Sequence, residues 1–303
     1  TPSNSSAASD VYKRQGMAVV LEDSNTIRKV QTTLTDGIEY LSLGSSSDDL
    51  LYSLKEGPVG IYSTNGNKST NLDVPHSKII FMNQHEYILK DYFLFVDQAG
   101  KVILSPLDCS EAYEVWPGSA QKQYHQAALH KDGLLLALVG STTIELLNFA
   151  HPNDAPTLFE VGKQIISDGL IERIEFSSNG YWMIVSCGGS VMSFDLRKET
   201  GTLAVNALDI SSSQDVSWDI DMSGKNIMVL KGTDIQQNTI SLTRFNYKKS
   251  KKIWESVPGP AGRLSLDGVN ESSSIHHLQL LYDDSSLSVL IHLDKRILLF
   301  SSS

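Results

Sequence analysis

The stretch Asp132-Gly-Leu-Leu-Leu-Ala-Leu-Val139 decides the fold of this chain. Its six consecutive apolar residues are too few for an independent helix, and an unbroken apolar run of this length is typical of a strand buried on both faces. The Asp-Gly pair in front of it supplies the positive φ that a tight turn requires. A second apolar run, Ile144–Phe149, follows closely. The segment therefore predicts a hairpin of buried β-strands.

The same unit recurs along the chain at starting points about 42 to 60 residues apart. The central apolar runs are Leu50–Leu54, Tyr92–Val96, Leu134–Val139, Tyr181–Val185, Ile227–Leu230 and Leu287–Ile291. The runs that follow them are Val59–Tyr62, Val102–Leu104, Ile144–Phe149, Val191–Leu196, Ile240–Phe245 and Ile297–Phe300. Most are also preceded by an alternating run, such as Ile38–Leu43, Ile171–Phe176 or Val216–Ile220. A β-unit repeating at this spacing is typical of four-stranded propeller blades.

The repeat count predicts an all-β, seven-bladed β-propeller with an incomplete first blade. Six central runs indicate six blades, and the hairpin of Ala18–Leu21 with Ile27–Val30 adds part of another. The chain ends after the third strand of the last repeat, so we expect ring closure to lack its N-terminal strands. Unpaired strand edges at that seam would favour aggregation.

Two segments of unequal character make up the chain. Residues 1–15 are polar and aperiodic, and we expect a non-native cloning scar there, with a disordered native tail as the alternative. Residues 16–303 are expected to form a single propeller domain.

Composition excludes several classes of function. The 25 Lys+Arg and 35 Asp+Glu residues give a net charge of −10, which argues against a general nucleic-acid or membrane-surface binder. No apolar run reaches the roughly 18 residues needed to span a bilayer. The two cysteines, Cys109 and Cys187, make neither a disulfide framework nor a metal-ligand pattern, so we expect a reducing, intracellular setting and no metal or cofactor.

Motifs in the middle of the chain carry a family resemblance. They are His130-Lys-Asp-Gly-Leu-Leu-Leu136, Phe176-Ser-Ser-Asn-Gly-Tyr-Trp182, Phe194-Asp-Leu-Arg-Lys198 and Asp221-Met-Ser-Gly224. In order and spacing, the segment from His130 to Phe245 resembles the WD40 domain of the pre-mRNA-processing factor nineteen family, most of all its divergent budding-yeast form. Members of that family are U-box ubiquitin ligases of the NineTeen spliceosomal complex.

The resemblance implies a nuclear scaffold for protein–protein interaction, whose partners are spliceosomal proteins of the NineTeen complex and ubiquitination substrates. It also implies a full-length ligase that forms a homotetramer through a coiled coil. Neither the U-box nor the coiled coil is recognisable here, so we expect no enzymatic activity, no catalytic residue and no membrane partner for this chain. The alternative is a propeller enzyme or small-ligand binder that uses the central funnel.

The residues at WD-motif positions are expected to be structural. They are His130, Asp132, Gly133, Asn179, Gly180, Phe194, Asp195, Asp221, Gly224 and Asp294. Phe194 stands where such blades usually carry Trp, so the indole N–H of the usual His–Ser–Trp hydrogen-bond relay is lost there. Asp195 and its neighbour Arg197 are interpreted in the same structural sense.

Candidate partner-binding residues lie in two places. Tyr247-Lys-Lys-Ser-Lys-Lys-Ile-Trp254 contributes Lys248, Lys249, Lys251 and Lys252. These lysines are either a solvated hairpin or a small site for an acidic peptide or for RNA phosphates. The fifth blade contributes Arg173, Tyr181 and Arg197 as loop candidates. Its Trp182 is expected to pack in the core.

Overall fold

The computed structural model is built of antiparallel β-sheets, and no helix occurs in the part of the chain that it describes. The all-β prediction is confirmed. None of the described residues forms a helix that is long and apolar enough to cross a membrane. The described residues are 17–22, 26–31, 38–44, 49–55, 57–63, 68–85, 91–150, 157–165, 169–187, 190–197, 204–207, 216–220, 226–234, 239–251, 253–257, 263–265, 275–283, 286–293 and 296–301.

The chain divides into two compact units, Thr1–Ser167 and Asp168–Ser303. The expectation of a single domain over residues 16–303 stays a prediction. The expected tail of residues 1–15 lies outside the described residues, as do four of the candidate positions, namely Asp221, Gly224, Lys252 and Asp294.

The described residues of the first unit form four sheets in chain order. The first sheet pairs β1 (Met17–Glu22) with β2 (Thr26–Gln31). The second contains β3 (Ile38–Leu43), β4 (Asp49–Leu54), β5 (Val59–Ser63) and β6 (Lys68–Leu72). The third contains β7 (Ile79–Asn83), β8 (Tyr92–Asp97), β9 (Val102–Pro106) and β10 (Tyr113–Trp116). The fourth contains β11 (Gln126–Leu129), β12 (Leu135–Val139), β13 (Thr143–Ala150) and β14 (Thr157–Ile165).

The described residues of the second unit form three sheets. The first contains β15 (Ile171–Phe176), β16 (Trp182–Cys187), β17 (Ser190–Asp195) and β18 (Ala204–Ala207). The next contains β19 (Val216–Ile220), β20 (Asn226–Asp234), β21 (Thr239–Lys248), β22 (Ile253–Val257) and β23 (Arg263–Ser265), which pairs with β21. The last contains β24 (Ile275–Asp283), β25 (Ser286–Leu293) and β26 (Arg296–Ser301).

The unbroken apolar runs become the second strand of each repeat, as the sequence predicts. All six residues of β16 are buried, and in β12 every residue after the first is buried. By contrast, no residue of the fourth strand β10 is buried. Burying one large aliphatic or aromatic side chain contributes about 1.5–3 kcal/mol, so these second strands supply much of the stability of each sheet.

Consecutive sheets within each unit pack on one another. In the first unit the strand β7 lies beside both β3 and β11, and β10 lies beside β14. Side chains from two neighbouring sheets, among them Leu94, Leu104, Leu136 and Leu147, share one buried cluster. In the second unit β18 lies beside β22, and Trp182, Phe245 and Trp254 form a cluster of the same kind. Within each unit, these neighbouring sheets thus bury apolar side chains against one another.

The turn predicted at Asp132-Gly133 is confirmed, and the turn at Asn179-Gly180 shares its hydrogen-bond pattern. The His130 N–H donates to the Leu135 carbonyl at 2.8 Å, and the Gly133 N–H donates back to the His130 carbonyl at 2.8 Å. The loop from Ser177 to Trp182 repeats both bonds, at 2.9 and 2.8 Å. The backbone φ is +69° at Gly133 and +71° at Gly180, a conformation that glycine adopts at least cost.

The Asn179 side chain closes the same turn from within. The Asn179 Oδ1 accepts the Tyr181 N–H at 3.0 Å and the Ser177 hydroxyl at 2.7 Å. This is the Asx-turn chemistry by which a short amide side chain mimics a backbone turn.

Candidate functional site

The site is centred on the pair Tyr181 and Arg197 in the second unit. Tyr181 is the last residue of the β15–β16 loop, in keeping with its nomination as a loop candidate, and the strand of the run Tyr181–Val185 begins one residue later. Tyr181 is 47% exposed. Arg197 follows β17, and its Cζ lies 4.8 Å from the centre of the Tyr181 ring. An exposed aromatic ring beside a guanidinium is a combination enriched at the energetic centres of protein interfaces.

Asp195 holds the Arg197 side chain in place. The Arg197 Nε donates to Asp195 Oδ1 at 2.7 Å and its Nη2 donates to Oδ2 at 2.8 Å, while the backbone N–H of Arg197 also donates to Oδ1. Asp195 is buried, whereas the Arg197 side chain is 40% exposed. The side-chain hydrogen bonds that Arg197 donates to Asp195 raise the pKa of Arg197 above its ordinary value. The carboxylate therefore fixes a permanently charged guanidinium at the surface.

Two buried indole rings, Trp182 and Trp254, and the half-buried ring of Tyr247 support this pair. The Arg197 Cζ lies 5.0 Å from the centre of the Trp182 ring, and Trp182 in turn packs edge-on against Tyr247 and Trp254 at centroid distances of 4.6 and 5.4 Å. Trp182 is 2% exposed, which confirms its expected role in packing. Arg197 is thus sandwiched between a buried indole and an exposed phenol.

The geometry leaves part of the guanidinium for a ligand. Side-on pairing with Asp195 engages Nε and one N–H of Nη2. Among the described residues no acceptor contacts Nη1 of Arg197, and 40% of the Arg197 side chain is exposed. A guanidinium held in one orientation can bind a carboxylate or a carbonyl with less loss of side-chain entropy than a free one.

The lysines of the β21–β22 turn lie on another face of their sheet. Tyr247 pairs with Trp254 and packs on Trp182, whereas the next pair, Lys248 and Ile253, points to the opposite side because side chains alternate along a strand. Lys248 and Ile253 are both exposed. The structure therefore separates the lysine turn from Tyr181 and Arg197.

One lysine of this turn is already paired. The Lys251 ammonium donates to Glu255 at 2.5 Å, and that hydrogen bond, with the charges of Lys251 and Lys248, lowers the pKa of the Glu255 carboxyl. Lys249 is exposed at the tip of the turn. Lys252, the remaining lysine of the predicted set, lies outside the described residues.

Arg173 lies within the strand that the alternating run Ile171–Phe176 predicts, although it was also nominated among the loop candidates of this blade. It is in β15, four residues before the loop that carries Tyr181, and its Nη2 donates to Glu175 at 2.8 Å. Its side chain is 23% exposed. The ion pair and the partial burial place it in the wall of the sheet.

The described WD-motif positions make local contacts. His130 is buried, and its Nδ1 lies 3.3 Å from the Asp132 N–H and 3.7 Å from Asp132 Oδ2. Gly133 follows in the same turn. Phe194 is 1% exposed and fills the core of its sheet. Their structural interpretation stays a prediction.

A tryptophan–serine bond that the sequence does not reveal joins two sheets of the second unit. The Trp254 indole N–H donates to Ser193 Oγ at 2.7 Å, and both residues are buried. Phe194 does lack an indole donor, but the serine beside it receives one from β22 of the neighbouring sheet. The pairing could not be found from sequence because the two residues are 61 positions apart.

A buried charge in the first unit was also missed. Glu145 is 2% exposed and accepts hydrogen bonds from Lys122 Nζ and from the Tyr124 hydroxyl, each at 2.7 Å. The three side chains line a cavity of about 240 Å³ together with Gly140 and Thr143. The signal available in the sequence is a lone acidic residue within the apolar run Ile144–Phe149. A cation and a hydroxyl thus pair with the buried carboxylate.

The described part of the chain contains no cluster of three or more His, Cys, Asp or Glu side chains placed to bind a metal ion.

Comparisons with known proteins bear on the fold and on the family. No protein-family model matches the chain. A solved structure titled "KlHsv2 with loop 6CD replaced by a Gly-Ser linker", which is propeller-like, matches with a TM-score of 0.54 over 81% of this chain and 82% of that one. At 11% identity this likeness bears on the fold alone.

A curated relative gives the stronger match. The chain is 33% identical over 181 residues to "Pre-mRNA-processing factor 19" of Saccharomyces cerevisiae, and the match covers 59% of this chain. The chain spans about a third of the length of that relative, since the match covers 34% of it. The similarity confirms the resemblance that the sequence motifs indicate, to a WD40 domain of the pre-mRNA-processing factor 19 family.

Proposed function

We propose that this chain is a seven-bladed WD40 propeller that docks partner proteins in a pre-mRNA-processing assembly. The similarity to pre-mRNA-processing factor 19 supports the process. Support for the blade count comes from the seven consecutive antiparallel sheets among the described residues, of which the first has two strands and the last has three.

The wider setting follows from the same resemblance. The partners would be spliceosomal proteins of the NineTeen complex and ubiquitination substrates, and the chain would act in the nucleus as the scaffold of a U-box ubiquitin ligase. Several propellers linked through a tetrameric coiled coil would raise the local concentration of partners, so each contact could stay weak.

The observation that carries the docking role is the exposed Tyr181–Arg197 pair. Its guanidinium is fixed by the buried Asp195 and supported by Trp182, so little conformational entropy is lost when a partner binds. The Tyr181 ring offers apolar area next to two N–H donors of Arg197. This is a surface suited to a peptide carbonyl or carboxylate flanked by an apolar side chain.

Affinity capture tests the proposal. The full chain is immobilised and incubated with yeast nuclear extract, and retained proteins are quantified by mass spectrometry. We expect enrichment of pre-mRNA-processing proteins by the unaltered chain and a marked loss with Tyr181→Ser or Arg197→Lys. Both substitutions keep the surface polar, and Lys retains the charge while losing the planar, two-point pairing with Asp195.

A control variant separates specific loss from general damage. Lys131→Ser changes an exposed residue in the first unit and should leave capture unchanged. Equal thermal unfolding midpoints would show that the variants are folded. Capture of the same set of proteins by Tyr181→Ser and by the unaltered chain would refute this surface as the docking site. No enrichment by the unaltered chain would refute the docking role.

A further inference from the structure

The β21–β22 turn presents a positive surface that the Tyr181–Arg197 site does not use. Lys248, Lys249 and Lys251 are exposed within four consecutive residues, and Ile253 beside them is 44% exposed. The turn is held by a hydrogen bond from the Lys251 N–H to the Lys248 carbonyl at 3.1 Å. The cations are therefore displayed on an ordered hairpin next to an aliphatic side chain.

The charge of this surface is opposite to that of the chain. Lys251 pairs with the Glu255 carboxylate and Lys248 lies close enough to act on it. The three described lysines and this one carboxylate sum to a formal charge of +2. The whole chain carries −10. A small positive patch on an acidic protein favours a ligand that carries a few negative charges close together, whereas a long polyanion would also meet the repulsion of the rest of the chain.

The aromatic residues of the hairpin argue against RNA as the ligand. Single-stranded nucleic acid is held by bases stacked on aromatic rings that lie beside the basic groups. Here Tyr247 and Trp254 face the opposite side of the sheet, where they pack on Trp182. Ile253, the exposed apolar neighbour of Lys248, offers no ring for stacking but can pack against an aliphatic side chain.

We propose that the turn docks an acidic segment of a partner protein in which carboxylates flank an aliphatic residue. The carboxylates would pair with Lys248 and Lys249, and the aliphatic side chain would pack on Ile253. This inference rests on the proposed protein-docking function and names the chemistry of one of its partners. It adds a second contact surface to the one formed by Tyr181 and Arg197.

Binding of defined probes to the full chain tests the inference. The probe is a synthetic peptide of alternating Glu and Leu, with alternating Gln and Leu as its uncharged match, and a twelve-nucleotide polyuridine strand is tested in parallel. Fluorescence anisotropy gives each dissociation constant. We expect the double substitution Lys248→Glu/Lys249→Glu to weaken binding of the acidic peptide by about tenfold or more at low salt. The substitution Ile253→Ser should also weaken binding of this peptide, but the salt dependence of binding should stay unchanged.

The control variant carries the same change of net charge elsewhere. Lys78→Glu/Lys131→Glu alters two exposed lysines of the first unit and should leave the affinity within about twofold. Equal loss in both double variants would overturn the inference, because net charge alone would then explain binding. Tighter binding of polyuridine than of the acidic peptide would overturn it in favour of RNA. Both results leave the Tyr181–Arg197 capture experiment unaffected, so the two proposals fail separately.

Discussion

The indole N–H of Trp254 donates a hydrogen bond to Ser193 Oγ at 2.7 Å, and this bond joins β22 to β17 of the neighbouring sheet. Both groups are buried. The bond places the Trp254 ring against Trp182, which in turn lies 5.0 Å from Arg197. A single buried contact thus links the packing of two sheets to the position of an exposed cation.

Replacing Trp254 with Phe should destabilise the protein by about 1–3 kcal/mol, because the ring volume shrinks and the buried Ser193 hydroxyl loses its donor. Urea unfolding followed by intrinsic fluorescence measures the change. Ser193→Ala serves as the matched variant. If the hydrogen bond matters, Trp254→Phe should cost less in the Ser193→Ala background than in the original chain, and strictly additive losses would contradict the prediction.

Replacing Gly133 with Ala should cost about 1–3 kcal/mol, since two penalties combine at this turn. The backbone φ of Gly133 is +69°, and a Cβ there would approach the His85 ring to 2.9 Å. His85 is held across the turn, where its Nε2 lies 2.6 Å from the Lys131 carbonyl. Thermal unfolding measures the loss.

A second background separates the two penalties. In a His85→Ala chain the steric conflict disappears, so Gly133→Ala should cost only the conformational part, about 1 kcal/mol. An equal loss in both backgrounds would show that the His85 ring moves aside freely.

The strands were predictable because their signal is local. Unbroken apolar runs such as Leu134–Val139 identify strands that are buried on both faces, and the Asp-Gly and Asn-Gly pairs identify the turns between them. The predicted ends of the strands were less accurate, and the strand predicted to begin at Tyr181 begins one residue later, at Trp182. Tyr181 continues the apolar run but belongs to the loop, because the turn from Ser177 closes only at Trp182.

The arrangement of the site could not be predicted from sequence, because it depends on how the strands pair and on which sheets pack against each other. The sequence nominates the lysines of the turn and the fifth-blade residues Tyr181 and Arg197, and it does not indicate which of them lie together. Strand alternation and pairing then send Lys248 and Tyr247 to opposite sides of their sheet. The contact of Tyr247 with Trp182 joins residues 65 positions apart, and no local pattern indicates such a contact.

Cys109 should be nearly inert to alkylation in the folded protein. Burial raises the pKa of its thiol from the ordinary 9.0 to about 11. At pH 8 the thiolate fraction, and with it the rate of reaction with iodoacetamide, should fall about a hundredfold relative to the urea-unfolded chain. Peptide mapping by mass spectrometry reports Cys109 separately from Cys187. Equal rates for Cys109 in the folded and unfolded chains would contradict the burial of this thiol.

The same pKa shift predicts the direction of a pH effect. The folded state retains the Cys109 proton longer than the unfolded state does, so the stabilising contribution of the buried thiol is fully present below pH 9. It is lost as the pH rises towards 11. A Cys109→Ala variant should therefore show a smaller drop in stability between pH 9 and pH 11 than the unaltered chain.

Replacing Asp195 with Asn should release Arg197 from the surface site while leaving the strand β17 in place. Asn offers one oxygen acceptor instead of two and carries no charge, so the charge-assisted pairing at 2.7 and 2.8 Å cannot form as it stands. We expect a loss of about 1–3 kcal/mol in unfolding free energy. The Asp195→Asn chain should also capture fewer pre-mRNA-processing proteins than the unaltered chain, as we expect for Tyr181→Ser.

The comparison with Arg197→Lys decides whether position or charge matters. Lys keeps the charge beside Asp195 but cannot pair with it in a planar, two-point fashion or stack in the same way on Tyr181. If the surface works through a fixed guanidinium, both Asp195→Asn and Arg197→Lys should lose capture, although only Asp195→Asn removes the carboxylate that pairs with the cation. Retention of capture by Arg197→Lys alone would show that a positive charge near Tyr181 suffices, and that Asp195 acts on stability and not on binding.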